Sequence, residues 1–266
     1  KSSKKNNKLE GIIKKYKDIM EKNFKDTQHI DKLASFRKIY GEMFEDFEKS
    51  GNYKLDGKYF RKDTVKIINS VGKTIHIGIN GEEAIEKNIE DLIQFMNRKD
   101  IPFLVKASIS HFFFEYIHPF YDGNGRFGRY LLSMNLAKYV GKYTALSISY
   151  MIAQNKMKYY KSFKEVESKY NLGEITFFVE NILENVIEGQ NSILELIEKT
   201  IEKAEYMDKI CEEIENQRKD VKKIEMQILY IFIQDYLFNE FEKIKNKDIA
   251  KIPNLNKTQQ TINKYT

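Results

Sequence analysis

The sequence predicts a mainly helical, all-α protein carrying one small β-hairpin, with a small helical unit at its C-terminal end. Three observations carry this expectation. Through most of the chain apolar residues recur at three- and four-residue spacing, the period of one face of an α-helix. Alternation with period two takes over only between about Val65 and Ile79. Charged residues then crowd positions 198–223 and set apart a tail with an apolar pattern of its own.

Taken in order, Leu9 to Phe24 carries a helical stripe at Leu9, Ile12, Ile13, Tyr16 and Met20, and Ile30 to Phe47 repeats the pattern. Gly51 to Gly57 is a polar break rich in turn residues. Val65, Ile67 and Ile68, then Ile75, Ile77 and Ile79, flank Ser70-Val71-Gly72-Lys73. Alternation about a glycine-containing turn predicts a hairpin. Asn80 is the expected N-cap of a helix reaching about Asn97, with Glu82 and Glu83 in its first turn. Pro102 suits the start of the next helix, Phe103 to Tyr116, whose aromatic and small residues predict burial nearly all round. A loop, His118 to Gly125, leads into a helix from Arg126 to Val140, and further helices are expected at 147–169 and 174–215. In the tail, Ile224 to Tyr236, residues 247–251 and residues 257–266 read as helices around a turn at Ile252-Pro253-Asn254. The expected organisation is N-terminal helices at 1–50, a core at 51–200, and a linker helix plus tail at 201–266.

Composition limits the function classes. With 266 residues and 41% hydrophobic content, the chain can fill a globular core. No apolar run approaches the roughly 20 residues that span a bilayer, so no membrane partner is expected. Lys1 to Lys8 lacks the apolar stretch of a signal peptide. Cys211 is the sole cysteine and excludes an internal disulfide; a reducing cytoplasm fits best, with a secreted effector as the alternative. The net charge of +6 is spread over lysines interleaved with acids, as on solvated faces. Arginine usage is more informative: there are only six against 39 lysines, yet Arg126 and Arg129 stand one helical turn apart. Arginine grips phosphate with a planar fork that lysine lacks.

Those arginines close the segment His118-Pro119-Phe120-Tyr121-Asp122-Gly123-Asn124-Gly125-Arg126-Phe127-Gly128-Arg129. Gly123 and Gly125 let backbone N–H groups approach an anion without a Cβ in the way. They lie where a helix begins, so unpaired N–H groups and the positive dipole end converge there. Asp122 is a hard oxygen ligand suited to Mg²⁺ bridging phosphates. His118 precedes this cradle and titrates near neutrality, as a general base should.

The segment resembles the signature of the Fic family, His-x-Phe-x-(Asp/Glu)-Gly-Asn-Gly-Arg-x-x-Arg, and matches at every specified position. The resemblance implies a protein adenylyltransferase that moves AMP from ATP to a Ser, Thr or Tyr hydroxyl of a protein, the chain itself included. His118 would deprotonate the hydroxyl, and Asp122 would hold Mg²⁺ (or Mn²⁺). Gly123, Asn124 and Gly125 would bind phosphate oxygens, and Gly128 would belong to the same ATP-binding set. Arg126 would face the inner phosphates and Arg129 the outer one, while Phe120 would pin the loop to the core. The related Doc kinases carry a basic residue where Gly125 stands here, so the adenylylating version is implied. Removal of AMP by the same loop, and use of other nucleotides, remain alternatives.

Further segments resemble the family's accessories. The hairpin corresponds to the flap that pairs with an extended target by strand addition, which places Gly72, Lys73 and Thr74 on the target side. Tyr159-Tyr160 resembles a pair near the nucleotide, with Asn171 as the polar residue that follows. Asn6 to Gly11 resembles an inhibitory helix with Asn in place of Ser/Thr, so that Glu10 would pair with Arg129 as a brake. The tail resembles a truncated winged helix, for which docking to a partner is at least as plausible as DNA binding; a homodimer is a further expected assembly. His29, His76 and His111 have no metal-spaced partners, and His111 reads as a hydrogen-bonded core residue.

Overall fold

The computed structural model describes residues 9–21, 30–49, 55–68, 71–239, 243–252, 255 and 259–264. The chain divides into two compact units, residues 1–193 and 194–266. Helices α1 (Glu10–Glu21) and α2 (Leu33–Lys49) precede an antiparallel hairpin, β1 (Lys66–Ile68) and β2 (Thr74–Ile77). There follow α3 (Glu82–Met96), α4 (Phe103–Ile117), α5 (Asn124–Val140), α6 (Lys142–Gln154), α7 (Lys156–Val166) and α8 (Thr176–Gln217). The second unit holds α9 (Lys223–Phe238) and the short α10 (Asn246–Ile249) and α11 (Gln259–Ile262), around Ile228, Ile249, Leu255 and Ile262. The tail's expected turn at Pro253-Asn254 and its last residue pair lie outside the described residues. Among the described residues, no helix is long and apolar enough to cross a membrane.

The mainly helical architecture with its single hairpin agrees with the sequence reading, with three local corrections. Gly81, not Asn80, caps α3, with φ 83° and no side-chain cap bond. Asn80 instead accepts a hydrogen bond from the Thr64 hydroxyl. The single helix expected at 147–169 is two, α6 and α7, broken at Asn155. There the Asn155 backbone N–H still closes α6 on Met151 O at 2.9 Å, while its side-chain Nδ2 donates to Asn185 Oδ1 on α8 at 3.1 Å. The motif helix starts at Asn124 rather than Arg126, because Gly123 takes φ 77° and turns the chain into it.

The core of the first unit is built on α4 and α5. These pack on each other, with α3 against α4, α6 against α5, and α1 on α2. Phe36, Phe114, Phe120 and Phe127 are fully or almost fully buried together with Tyr40. Phe120 stacks on Tyr40 at 3.7 Å between centroids and meets Phe127 edge-on at 5.6 Å. Burying one such ring contributes about 1.5–3 kcal/mol. The motif loop is therefore anchored at its middle.

Candidate active site

Helix α4 ends at His118, which adopts the left-handed conformation with φ 52° and ψ 60°. Few non-glycine residues do so without local support. Arg61 supplies that support. It is completely buried, and its Nε donates to His118 O at 2.9 Å while Nη2 donates to Ile79 O at 2.7 Å and reaches Ile117 O at 3.5 Å. Nη1 donates to Asp63 O. One guanidinium thus ties the end of α4 to the base of the hairpin, where Ile79 N also donates to Ile117 O at 3.1 Å. The loop closes on itself through Asn124, whose side chain accepts from Phe120 N at 2.9 Å and donates to Phe120 O at 2.7 Å. Asn124 is 2% exposed, so its amide braces the loop and leaves its backbone N–H as the group able to meet an anion. The N–H groups of Asn124, Gly125 and Arg126 open α5 and have no intrahelical acceptor. A Cβ at Gly123 would lie 2.9 Å from the Phe44 ring, so this position needs glycine for space as well as for φ.

A cleft of about 1120 Å³ lies between this loop, the hairpin and α7, within reach of the size that takes a nucleotide. Of the sequence-predicted residues it brings together Lys73, Thr74, His118, Asp122, Gly123, Asn124, Gly125, Arg126, Arg129, Tyr159 and Tyr160. Lys158, Lys161 and Lys164 of α7 join Lys73 and the two arginines on its walls, against the acids Glu115, Asp122 and Glu167. That excess of cations suits a polyphosphate. Asp122 Oδ2 lies 3.5 Å from Arg126 Nη2, and the Asp122 side chain is 45% exposed. Arg126 also lies over the Phe44 ring at 5.1 Å.

Four predicted residues fall elsewhere. Gly72 forms the hairpin turn with φ 77° and lies outside the cleft lining. Gly128 faces inward, where a Cβ would come 2.1 Å from Glu115 Oε1; its role is close packing of α5 on α4. Asn171 donates from its amide to Glu174 O at 2.6 Å, closing a turn away from the cleft. Glu10 is exposed at the start of α1 and does not line the cleft. Among the described residues no ion pair joins it to Arg129. The reason lies in packing: Lys15 pairs with Glu42, the Tyr16 hydroxyl meets Ser149 Oγ at 2.9 Å, and Lys142 Nζ reaches Met20 O at 3.0 Å. These contacts fix α1 on α2 and α6. Asn6 lies outside the described residues, as does His29.

Electrostatics assigns the proton on His118. Its Nδ1 lies 3.2 Å from Glu115 O, which can only accept, so Nδ1 carries the hydrogen and Nε2 the lone pair. Burial above all lowers this imidazole from 6.5 to about 4. The His76 and Arg61 charges act in the same direction, while Glu115 O and Asp122 oppose them. The ring is therefore neutral at neutral pH and able to accept a proton.

Beneath the cleft sits a buried cluster that the sequence reading did not foresee in full. His111 Nε2 and Tyr159 OH are 2.8 Å apart. Tyr159 is 3% exposed, whereas Tyr160 is 51% exposed, so Tyr160 is the ring with a free face. Glu115 Oε1 has no hydrogen-bond partner. Burial raises the Glu115 carboxyl to about 7, against the opposing charges of Arg129 and His76. Between its ordinary 4.5 and about 7, the folded protein holds a proton that the unfolded chain has lost. The stability of the neutral carboxyl is thus fully present below 4.5 and is lost as pH rises toward 7. Replacing Glu115 by Gln removes that dependence. In urea unfolding, the advantage of the variant over the natural protein is expected to grow by roughly 3 kcal/mol across this range. A pH-independent difference would contradict a buried neutral acid.

No group of three or more His, Cys, Asp or Glu converges on a metal position among the described residues. The half-exposed Asp122 carboxylate in the cleft is the donor set expected for Mg²⁺, which is commonly held by one or two carboxylates together with substrate phosphates. When bound there, the ion would neutralise phosphate charge.

Loop, cleft and hairpin together form a helical domain in which His118, the glycine turn and both arginines line one cleft. The chain belongs to the Fic/DOC family, whose model matches residues 29–136. It is 33% identical over 108 residues to a Fido domain-containing protein of Dictyostelium discoideum, covering 39% of this chain and 71% of that one. It is 28% identical over 156 residues to a probable protein adenylyltransferase of Aquifex aeolicus, covering 59% of this chain and 44% of that protein. The chain thus spans less than half of that second relative. Among solved structures, a Fic family protein from Desulfovibrio desulfuricans superposes with a TM-score of 0.55 at 16% identity. That match covers 96% of this chain and 64% of the other, and it attests the fold.

Proposed function

We propose that the protein is an adenylyltransferase that joins AMP from ATP to a hydroxyl side chain of a protein. His118 Nε2 takes the proton of a Ser, Thr or Tyr hydroxyl. The oxygen bonds to the α-phosphorus, the bond from that phosphorus to the bridging oxygen breaks, and pyrophosphate leaves with the electron pair. The N–H groups opening α5, with Arg126 and Arg129, offset the charge gathering on the phosphate oxygens. Asp122 would hold Mg²⁺ (or Mn²⁺), and Tyr160 offers its exposed face to the base. The observation that carries this reading is the His118 tautomer: Nδ1 is committed to Glu115 O, which leaves Nε2 with the lone pair on a ring that lines the same cleft as Gly123 and Gly125. Two further points support it. One relative bears the name adenylyltransferase. A Cβ at Gly125 would lie 3.2 Å from Arg129 Nη1, so glycine lets that guanidinium sit closer to the turn than the basic residue of the Doc kinases would.

The test separates transfer of AMP from transfer of phosphate. Protein incubated with Mg²⁺ and ATP labelled at the α-phosphate is expected to become labelled, on itself or on proteins of a lysate. ATP labelled at the γ-phosphate is expected to leave protein unlabelled. The reverse pattern would overturn the proposal in favour of phosphoryl transfer.

A further inference from the structure

His76 stands on β2 and lines the same cleft, its ring centroid 6.3 Å from that of His118. Its Nδ1 lies 2.8 Å from Glu167 Oε2, and its Nε2 lies 2.8 Å from Tyr116 O. A carboxylate and a backbone carbonyl both accept and neither donates. A neutral imidazole has one N–H and can satisfy only one of them. Hydrogen bonds at both nitrogens require the imidazolium. The side chain is 9% exposed, so water cannot readily take the place of either partner.

The partners give this geometry its meaning. Glu167 caps the C-terminal end of α7, the helix that carries Tyr159 and Tyr160. Tyr116 lies on α4 two residues before His118. One protonated ring therefore joins the hairpin to both walls of the cleft. The hairpin's own apolar residues do little to hold it there, since Ile68, Ile75 and Ile77 are each more than half exposed.

We infer that His76 is a proton-operated latch that, as the imidazolium, fastens β2 to α7 and α4 and so fixes the hairpin over the cleft. Loss of that proton leaves a lone pair facing either the Glu167 carboxylate or the Tyr116 carbonyl. One of the two bonds then breaks and the hairpin loosens. His76 is a positioning residue in this scheme, since it would act on an acceptor through the strand that holds it. The inference rests on the proposed function only in assigning the acceptor to the hairpin; the latch itself does not depend on which group is transferred.

The direction of the pH effect follows from the groups that face the ring. Burial alone would lower the His76 imidazole. The hydrogen bond and charge of Glu167 on α7, with Tyr116 O on α4, outweigh it and raise the group above 6.5, and Glu115 on α4 adds to this only once its own carboxyl ionises at about 7. His118 on the loop faces it as a neutral ring at these pH values. Lys73 and Lys164 line the same cleft. A closed-state value above that of the released ring means that latching is fully present below about 6.5 and is lost as pH rises through the closed-state value.

The experiment is an NMR titration of the His76 ring in the full chain, with hydrogen exchange of the β1 and β2 amides at pH 6 and pH 8.5. Expected are a ring titration above 6.5, a lower one in Glu167→Gln, and hairpin protection that falls by about tenfold per pH unit above the His76 transition, after correction for intrinsic exchange. In His76→Gln, protection is expected to be low at both pH values, with the exchange of α4 and α5 amides unchanged. A ring that titrates at or below 6.5, or hairpin protection in His76→Gln that matches the natural protein, would overturn the latch. Neither readout requires a transfer reaction, so failure to label any protein would remove the proposed function and leave this test intact.

Discussion

Replacing His118 by asparagine is expected to lower AMP transfer by about 10²- to 10⁴-fold, the usual contribution of a general base, while ATP binding and thermal stability stay close to those of the natural protein. Asparagine is the informative substitution because position 118 has φ 52°. Asn enters the left-handed region with less strain than Ala, so a loss of activity reports the missing base and not a displaced loop. Transfer by the natural protein is expected to depend on the neutral ring. Since burial, aided by the neighbouring cations, lowers that ring to about 4, kcat/KM for ATP should stay level as pH falls through 6.5 and drop only in strong acid. An acid limb near 6.5 would mean that the ring is solvated in the working enzyme. Full activity in His118→Asn would remove this residue from the chemistry.

The second large effect is expected at Arg61, outside the signature. Arg61→Met keeps an aliphatic stem and removes the donors that serve His118 O, Ile79 O and Asp63 O. Asp63 is exposed and water can replace its donor, but each of the other two acceptors left unpaired costs about 1–3 kcal/mol, so a total loss of at least about 2 kcal/mol is expected. For a unit of this size that corresponds to a fall in melting temperature of roughly 4–8 °C or more. Against the typical 5–15 kcal/mol that separates folded from unfolded protein, the change is severe. Arg61→Lys should recover little, because an ammonium cannot span carbonyls fixed at the fork of a guanidinium. Activity is expected to fall even at temperatures where the fold persists, since His118 loses the support for its left-handed backbone. A melting temperature within a degree or two of the natural protein would show that the carbonyls find water instead.

The two substitutions differ in how far each was legible beforehand. The His118–Arg129 segment is local: its bracing bonds, Phe127 N to Gly123 O and Asn124 to Phe120, close over four residues. Residue types in a short window therefore determine its shape. The hairpin was legible for a similar reason, since its alternation surrounds one turn. Arg61 is one of six arginines in the sequence, and its partners lie 57 residues ahead at His118 and 18 ahead at Ile79. Nothing in sequence distinguishes it from a solvated arginine. His76 faces Glu167 across 91 residues, and its histidine type was the one available hint. Asn171 and Glu10 differ in the opposite way, since neither lines the cleft. They satisfied a pattern, yet a local turn to Glu174 and the packing of α1 on α2 and α6 carried them elsewhere. The break at Asn155 carries no glycine or proline to announce it.

By itself the sequence determined the helical class, the hairpin and the His118–Arg129 motif that carries the proposed base, because each depends on spacing within one or two turns of chain. Only the tertiary structure decided which proton His118 carries, what holds its backbone, and which lone carboxyl and second imidazole share the cleft. Those properties arise from burial and from partners brought together across tens of residues, and a buried charge takes its behaviour from what surrounds it in space.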